Sequence, residues 1–239
     1  MIKHNPITFV YPFFNHHDTF MLHVENWLDY DDWCKSLINF IVVDDCSYSP
    51  INVLNVDLNI RFFRVDTFMY WNYGAKNLGI IESKTPWVFL SELDHIVDPD
   101  SARKILQLQV EPKNYYMFMR KNFHQSSNKR YSDRPHVATF LFNKNDYQNA
   151  GGIDEDFSGH YGYDDLFFRD CLHYTGCNCV LEQDIVLKNI SGNFESKDAD
   201  LSEDKSVPRD TCRNKLLYEQ KLKTMDVSRE KLRFNWREI

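Results

Sequence analysis

Residues 40–45 read Phe-Ile-Val-Val-Asp-Asp, four apolar residues without alternation, closed by two carboxylates. A strand with one wet face would alternate, so a run that is apolar on both faces suits a parallel strand covered by helices above and below. Working outward, residues 7–14 form an apolar and aromatic run that stops at Asn15 and is followed by Met21, Val24, Trp27 and Leu28 at helical spacing. A third run, residues 60–65, leads into residues 72–81, where Ala75, Leu78 and Ile81 mark a helical face. A fourth, residues 87–90, runs into Ser91-Glu92-Leu93-Asp94. Strands alternate with helices through the first hundred residues. The fold class that follows is α/β: a doubly wound, mostly parallel, Rossmann-like sheet flanked by helices, with right-handed crossovers.

Further along, Asp100 reads as the N-cap of a helix carrying Ala102, Ile105 and Leu106. Residues 115–119 and 137–142 read as strands separated by a polar, basic loop over 121–135; its Lys129, Arg130 and Arg134 form either a solvated connection or a closing lid. After Gly151-Gly152 comes an acidic, aromatic segment, then a helix from Asp164-Asp165 to Gly176, with late strands at 177–181 and 185–187. The organisation predicted is one domain over residues 1–193, a flexible acidic loop over 194–210, and a helical extension over 211–239 packed on the same domain.

Of the 239 residues, 43% are hydrophobic, enough to bury a sizeable core. The 28 Lys+Arg against 35 Asp+Glu leave a formal charge of -7, which repels a polyanion and disfavours nucleic acid as a partner. No apolar run approaches the roughly 20 residues that cross a bilayer, so no transmembrane segment is expected. The N-terminal residues lack a secretory pattern, and the chain reads as cytoplasmic, with peripheral attachment to a membrane left open. Six cysteines are too sparse for a disulfide scaffold, and Cys177 and Cys179 have no second close pair to complete a zinc cage; buried reduced thiols are expected.

In an open α/β sheet, ligands bind beyond the carboxyl ends of the strands. Asn15, Asp44, Asp45, Glu92 and Asp94 end the predicted strands and are the residues to weigh. No glycine-rich dinucleotide fingerprint and no phosphate-binding Gly-Lys-Ser/Thr loop is present, so phosphates would need another counter-charge. Glu92 and Asp94, at i and i+2 past a strand end, can converge on one Mg²⁺ or Mn²⁺ that bridges to a diphosphate; the plain alternative is that they solvate the strand end. His95, adjacent to them, reads either as an extra ligand or, the plainer alternative, as an exposed loop histidine. Asp164 and Asp165 either cap a helix or, beside Gly159-His160-Tyr161-Gly162-Tyr163, offer acids next to aromatic faces, a pairing that suits a sugar. One of the two acids could then serve as general base toward a hydroxyl.

The segments Tyr11-Pro12-Phe13-Phe14-Asn15, Val42-Val43-Asp44-Asp45-Cys46-Ser47, residues 72–79 (NYGAKNLG), residues 89–94 (FLSELD), residues 151–157 (GGIDEDF) and Gly162-Tyr163-Asp164-Asp165, in this order, resemble a nucleotide-sugar glycosyltransferase with the GT-A fold. The order and spacing are similar to the family 2 group of inverting enzymes, with some likeness to the β-1,4-galactosyltransferase branch. The resemblance spans residues 7–189 and implies a nucleoside-diphosphate sugar donor, UDP- or GDP-linked, with Mn²⁺ or Mg²⁺ as cofactor. A glycan, glycolipid or glycoprotein would be the acceptor. It makes Pro12 and Phe14 walls of the nucleotide pocket, Asp45 the acceptor of a base N–H, and Lys76 a neighbour of the diphosphate. Glu92 and Asp94 take the metal motif, with Asp94 the direct ligand. Asp165 matches the general base, Asp164 the acid that holds acceptor hydroxyls, and Tyr161 the aromatic acceptor platform, with Tyr163 beside it. Two departures stand out. Glu92 replaces the first aspartate of that motif, and the region where the family often supplies a late histidine reads Val186-Leu187-Lys188-Asn189, leaving Lys188 to meet phosphate.

Two other readings compete. One is a catalytically inactive nucleotide-sugar or carbohydrate-binding domain of the same fold. The other is a sugar-phosphate nucleotidyltransferase, which should open with a glycine-rich loop that residues 7–18 lack.

Overall fold

A computed structural model describes residues 5–68, 72–122, 134–190 and 211–239. Nine strands of the described residues form one sheet: β1 (Ile7–Phe13), β2 (Ile38–Asp44), β3 (Ile60–Val65), β4 (Trp87–Leu90), β5 (His95–Ile96), β6 (Asn114–Asn122), β7 (Arg134–Asn143), β8 (Asn178–Asn189) and β9 (Trp236–Glu238). Their order is β5-β8-β6-β7-β4-β1-β2-β3-β9. The β1/β2, β2/β3, β1/β4 and β6/β8 pairs are parallel, while β7, β5 and β9 join antiparallel. The helices are α1 (His17–Leu28), α2 (Asp32–Leu37), α3 (Tyr73–Glu82), α4 (Pro99–Gln107), α5 (Lys144–Asn149), α6 (Asp164–Tyr174) and α7 (Cys212–Lys221). This is the mixed, mostly parallel α/β sheet that the unalternating apolar runs require.

Two apolar layers cover the sheet. Phe9, Tyr11 and Phe40 face Phe20, Val24 and Trp27 of α1 and Ala102, Ile105 and Leu106 of α4; Trp27 stacks on Phe40 with ring centroids 4.4 Å apart. Val10, Ile41 and Val43 face Ala75, Leu78 and Ile80 of α3 and, farther along, Phe167, Phe168 and Leu172 of α6. Alternate residues of β1 and β2 thus serve opposite layers, and each strand is buried on both sides. Gly79 lets α3 lie close on the sheet, because a side chain there would collide with Val10.

Asn77 of α3 is fully buried and spends its whole amide on one segment. Its Nδ2 donates to the Ile153 carbonyl (2.9 Å) and Glu155 Oε1 (2.8 Å), while its Oδ1 accepts from Tyr147 Oη (2.6 Å) and the Ile153 N–H (3.1 Å). Residues 72–79 and 151–157 are therefore two halves of one joint.

Several local expectations are corrected. Asp98, not Asp100, caps α4: its carboxylate accepts from the Ser101 N–H (2.8 Å), and Pro99 fills the first helical position, where a missing N–H costs nothing. Residues 178–189 form one strand rather than two, because the polar interruption near Gln183 and Asp184 is absorbed as an irregularity against β6. β7 begins at Arg134, ahead of residue 137. In the tail the helix is confined to α7, and Trp236–Glu238 add an edge strand. Cys34, Cys171 and Cys177 are buried, but Cys179 and Cys212 are exposed. Lys129, Arg130 and the acidic loop 194–210 lie outside the described residues, as does the Arg134 side chain. Among the described residues no helix is long and apolar enough to cross a membrane.

Asn77→Ala leaves buried partners without their bonds, and each orphaned buried polar group costs on the order of 1–3 kcal/mol. A loss of about 3 kcal/mol in unfolding free energy is expected by denaturant titration.

Candidate active site

The carboxyl ends of β1, β2 and β4 reach one rim. The Asp45 N–H donates to the Phe13 carbonyl (2.8 Å) and the Ser91 N–H to the Val10 carbonyl (3.0 Å). Asn15, with φ of 55°, ties this rim: its Oδ1 accepts from the Tyr48 N–H (2.9 Å), and its own N–H donates to Ser47 Oγ (3.0 Å). Pro12 pairs with Val43 inside the sheet. Phe14 is buried, edge-on to the exposed Tyr48 ring (5.8 Å). Asp44 is structural, since its carboxylate binds Arg64 (2.6 Å) and the N–H groups of Ser47 (2.8 Å) and Ile51 (3.0 Å). Asp45 is buried and accepts from the N–H of Asn72, the N-cap of α3, so at least one of its oxygens holds that helix start.

Lys76 lies one turn into α3. Its ammonium is buried and bonds Glu92 Oε1 at 2.7 Å. Burial alone would disfavour its charge, but Glu92 and Asp164 outweigh that and raise its pKa above the ordinary lysine value. Glu92 is therefore the partner of Lys76, and its charge also acts on Asp94.

Asp94 instead gathers two imidazoles. Ligand atoms of Asp94, His95 and His136 all lie within 4.8 Å of one another. His95 is buried in β5, not exposed in a loop; its Nδ1 bonds Asp94 Oδ1, its ring lies 3.9 Å from that of His136, and its Nε2 is a buried atom with no hydrogen-bond partner among the described residues. The cause is β8: Asn189 pairs with His95, and the Ile190 N–H donates to the Asp94 carbonyl (2.8 Å), drawing the turn into the sheet. Burial would raise Asp94, but contact with His95 holds it below the usual carboxylate range. His136 is pushed down to about 3, by burial first and then by His95, so it stays a neutral imidazole near pH 7.

Reading by motif missed His136. It sits where β7 bulges against β6, between the pairs Met119↔Pro135 and Met117↔Phe140, and its Nδ1 bonds Thr139 Oγ1 at 2.7 Å. A bulge re-aims a side chain. Burial alternates there, with His136 and Ala138 inward and Val137 outward, but two adjacent apolar residues give no sign of it in the sequence. Lys188 is also reassigned, because its ammonium pairs with Asp98 (3.0 Å) at the start of α4. His23 of α1 was missed as well; its Nε2 meets the Leu93 carbonyl at 2.8 Å and steadies the same turn from below.

Asp164 and Asp165 open α6. Asp164 is buried and Asp165 half-buried, with Asp165 Oδ1 accepting from the Leu166 N–H (2.8 Å). Asp164 is raised to about 7, by burial first and then by the charge of Asp165, with Lys76 opposing. Asp165 is raised too, by burial, again against Lys76. Lys76 and Glu92 act on both acids, and His136 responds to Asp94 and to Lys76. The two acidic clusters are one electrostatic unit. Tyr161 is 43% exposed on the loop before α6. Tyr163 is turned away, its ring taken up by Tyr218 of α7 at 5.3 Å.

No protein-family model matches the sequence, and no curated protein does. Among solved structures, S. aureus TarS 1–349 in complex with UDP-GlcNAc superposes with a TM-score of 0.63 at 12% identity, covering 77% of this chain and 58% of that one. The mannosyltransferase PcManGT from Pyrobaculum calidifontis, in complex with GDP-Man and Mn²⁺, gives 0.57 at 14% identity, covering 79% and 57%. The fold is thus GT-A-like. The chain spans less than two thirds of either match, and neither carries the finer likeness to the β-1,4-galactosyltransferase branch.

Because folding raises the Asp164 pKa, its stabilising contribution is fully present below the ordinary aspartate range and lost as pH rises through about 7. Asp164→Asn escapes that loss. Relative to the parent, its melting temperature is expected to be higher at pH 8 than at pH 5 by about 2 °C or more.

Proposed function

We propose that this chain is a glycosyltransferase that moves a sugar from a nucleoside-diphosphate sugar to an acceptor hydroxyl, with inversion at the anomeric carbon. The observation that carries the reading is the convergence of Asp164 and Asp165 with Glu92 on the buried Lys76, beside the Asp94 cluster, at the carboxyl rim of a GT-A-like sheet. UDP- and GDP-linked sugars are the donor classes to test, as those bound in the two matched structures.

A divalent cation fits this site in a modified form. Asp94, His95 and His136 would hold it, and a set of one carboxylate and two imidazoles suits Mn²⁺ better than Mg²⁺, which prefers oxygen ligands. The buried Nε2 of His95, without a hydrogen-bond partner among the described residues, supports this assignment. When bound, such an ion supplies positive charge toward a departing diphosphate.

The side chains then have distinct tasks. Lys76 releases Glu92 to donate to phosphate oxygens, while Pro12 and Phe14 wall the base and Asp45 faces it. Asp164, whose pKa lies near neutrality, holds acceptor hydroxyls with its neutral or ionised carboxyl. Asp165 accepts the acceptor proton as the new C–O bond forms and the bond from the anomeric carbon to phosphate breaks, its electron pair leaving with the nucleoside diphosphate. No enzyme nucleophile is used, which is why the configuration inverts. Tyr161 stacks on the acceptor ring.

Asp165→Asn is expected to lower transfer about 10³-fold while nucleotide affinity by calorimetry stays within about twofold. Near-parental turnover would remove Asp165 from the mechanism. Tight donor binding without turnover in the parent would favour an inactive binding domain. His136→Ala is expected to weaken Mn²⁺-dependent UDP or GDP binding by about tenfold or more, with binding in the presence of chelator unchanged.

A further inference from the structure

Asn214, in the first turn of α7, is fully buried, and its amide faces three carbonyls of a single loop. Nδ2 lies 3.1 Å from the Phe157 oxygen, 3.0 Å from that of His160 and 3.0 Å from that of Gly162. Carbonyls can only accept, so the three together fix which end of the amide is nitrogen. With two hydrogens for three acceptors, at least one is shared. The opposite end, Oδ1, accepts from Arg213 Nη1 at 2.8 Å, and the same guanidinium donates to the Asp156 carbonyl at 2.8 Å.

The loop so held is irregular in its backbone. Gly159, Gly162 and Tyr163 have φ of 80°, 83° and 69°, so three of its residues are left-handed and no regular ladder can run through it. From the α3 side, Tyr73 Oη donates to the His160 carbonyl at 3.0 Å. The His160 oxygen is therefore gripped from two directions, by α3 and by α7. The loop delivers Tyr161 to the surface and passes through Tyr163 straight into Asp164 and Asp165.

We propose that Asn214 is a positioning residue for sugar transfer: it sets the loop carrying Tyr161, Asp164 and Asp165 from behind, without touching substrate. This rests on the transferase reading above and extends it to a residue of the tail. The role needs donors, not bulk, so Asn214→Asp separates it from packing: shape is kept while the amide hydrogens are replaced by an oxygen facing three carbonyls.

Two measurements on the full chain decide it. The amides that bracket the loop are Ser158, bonded to the Glu155 carbonyl (3.1 Å), and Phe167, bonded to the Tyr163 carbonyl (2.9 Å). In Asn214→Asp their hydrogen exchange by NMR is expected to rise about tenfold, with the β2 ladder unchanged. Hydrolysis of UDP-GlcNAc or GDP-mannose, with water as acceptor, is expected to lose about tenfold in kcat at a KM within about twofold. Unchanged exchange at both amides, or loss of protection spread equally into β1 and β2, would overturn the assignment. A parallel rise in KM would too. If Asn214→Asp does not fold, Arg213→Ala decides instead: the exposed guanidinium that orients the amide is removed, and about threefold faster exchange at the same two amides is expected, no change being the overturning result. A parent that neither binds nor hydrolyses either nucleotide sugar, with exchange still responding to Asn214, counts against the transferase reading and leaves the anchor standing.

Discussion

A lysine ammonium taken out of water must be opposed by charge or give up its proton, and Lys76 keeps its proton. Its opposition comes from the end of β4 through Glu92 and from the start of α6 through Asp164 and Asp165. Two neighbouring elements, α3 and β4, are thereby required to meet α6, far along the chain. The need runs both ways, since the three carboxylates repel one another and two of them are raised even with the ammonium present. Three acids still outnumber one base. In the transferase reading proposed above, excess negative charge at this rim is a physical reason for a cation to accompany the diphosphate.

The acids of residues 151–157 face the other way, toward the tail. Asp154 pairs with Lys221 (2.8 Å) and Arg229 (3.5 Å), and Asp156 with Lys221 (2.7 Å) and Arg233 (2.8 Å). Glu155 accepts from the backbone of Leu232 (2.9 Å) and Arg233 (3.2 Å) while also holding Asn77. Gly151 belongs to the same arrangement: with φ of 79° and the Val227 carbonyl oxygen 2.6 Å from where a Cβ would stand, it has no room for a side chain. This motif joins α3 to the tail, with Asp154 and Glu155 buried and Asp156 exposed, all three fastening the two together.

Much of this could be read from the sequence. The unalternating runs of β1, β2 and β4 carried the α/β class, because burial on both faces leaves a direct mark on residue choice. The strand-ending acids pointed to the rim. What stayed hidden was anything set by register. The burial of His95 depends on β8 pairing beside it, and the reach of His136 on a bulge whose size is visible only once β6 is aligned with β7. Lys188 and Tyr163 are similar cases, each engaged by a residue remote in the chain, Asp98 and Tyr218. Asp98 before Pro99 was legible as a cap and was passed over for Asp100.

β9 lies against β3, so a segment from far along the chain closes the sheet beside the earliest strands. Arg61 bonds Glu238 at 177 residues' separation, and Arg237 bonds Asp66 at 171. Contacts of such span form late and slowly, after the entropy of closing a long loop has been overcome. On the ribosome, β3 waits as an open edge until β9 has been made, the interval in which an unpaired strand is most prone to stick to a neighbour. The yield of folded molecules should therefore depend on how well that waiting edge is shielded.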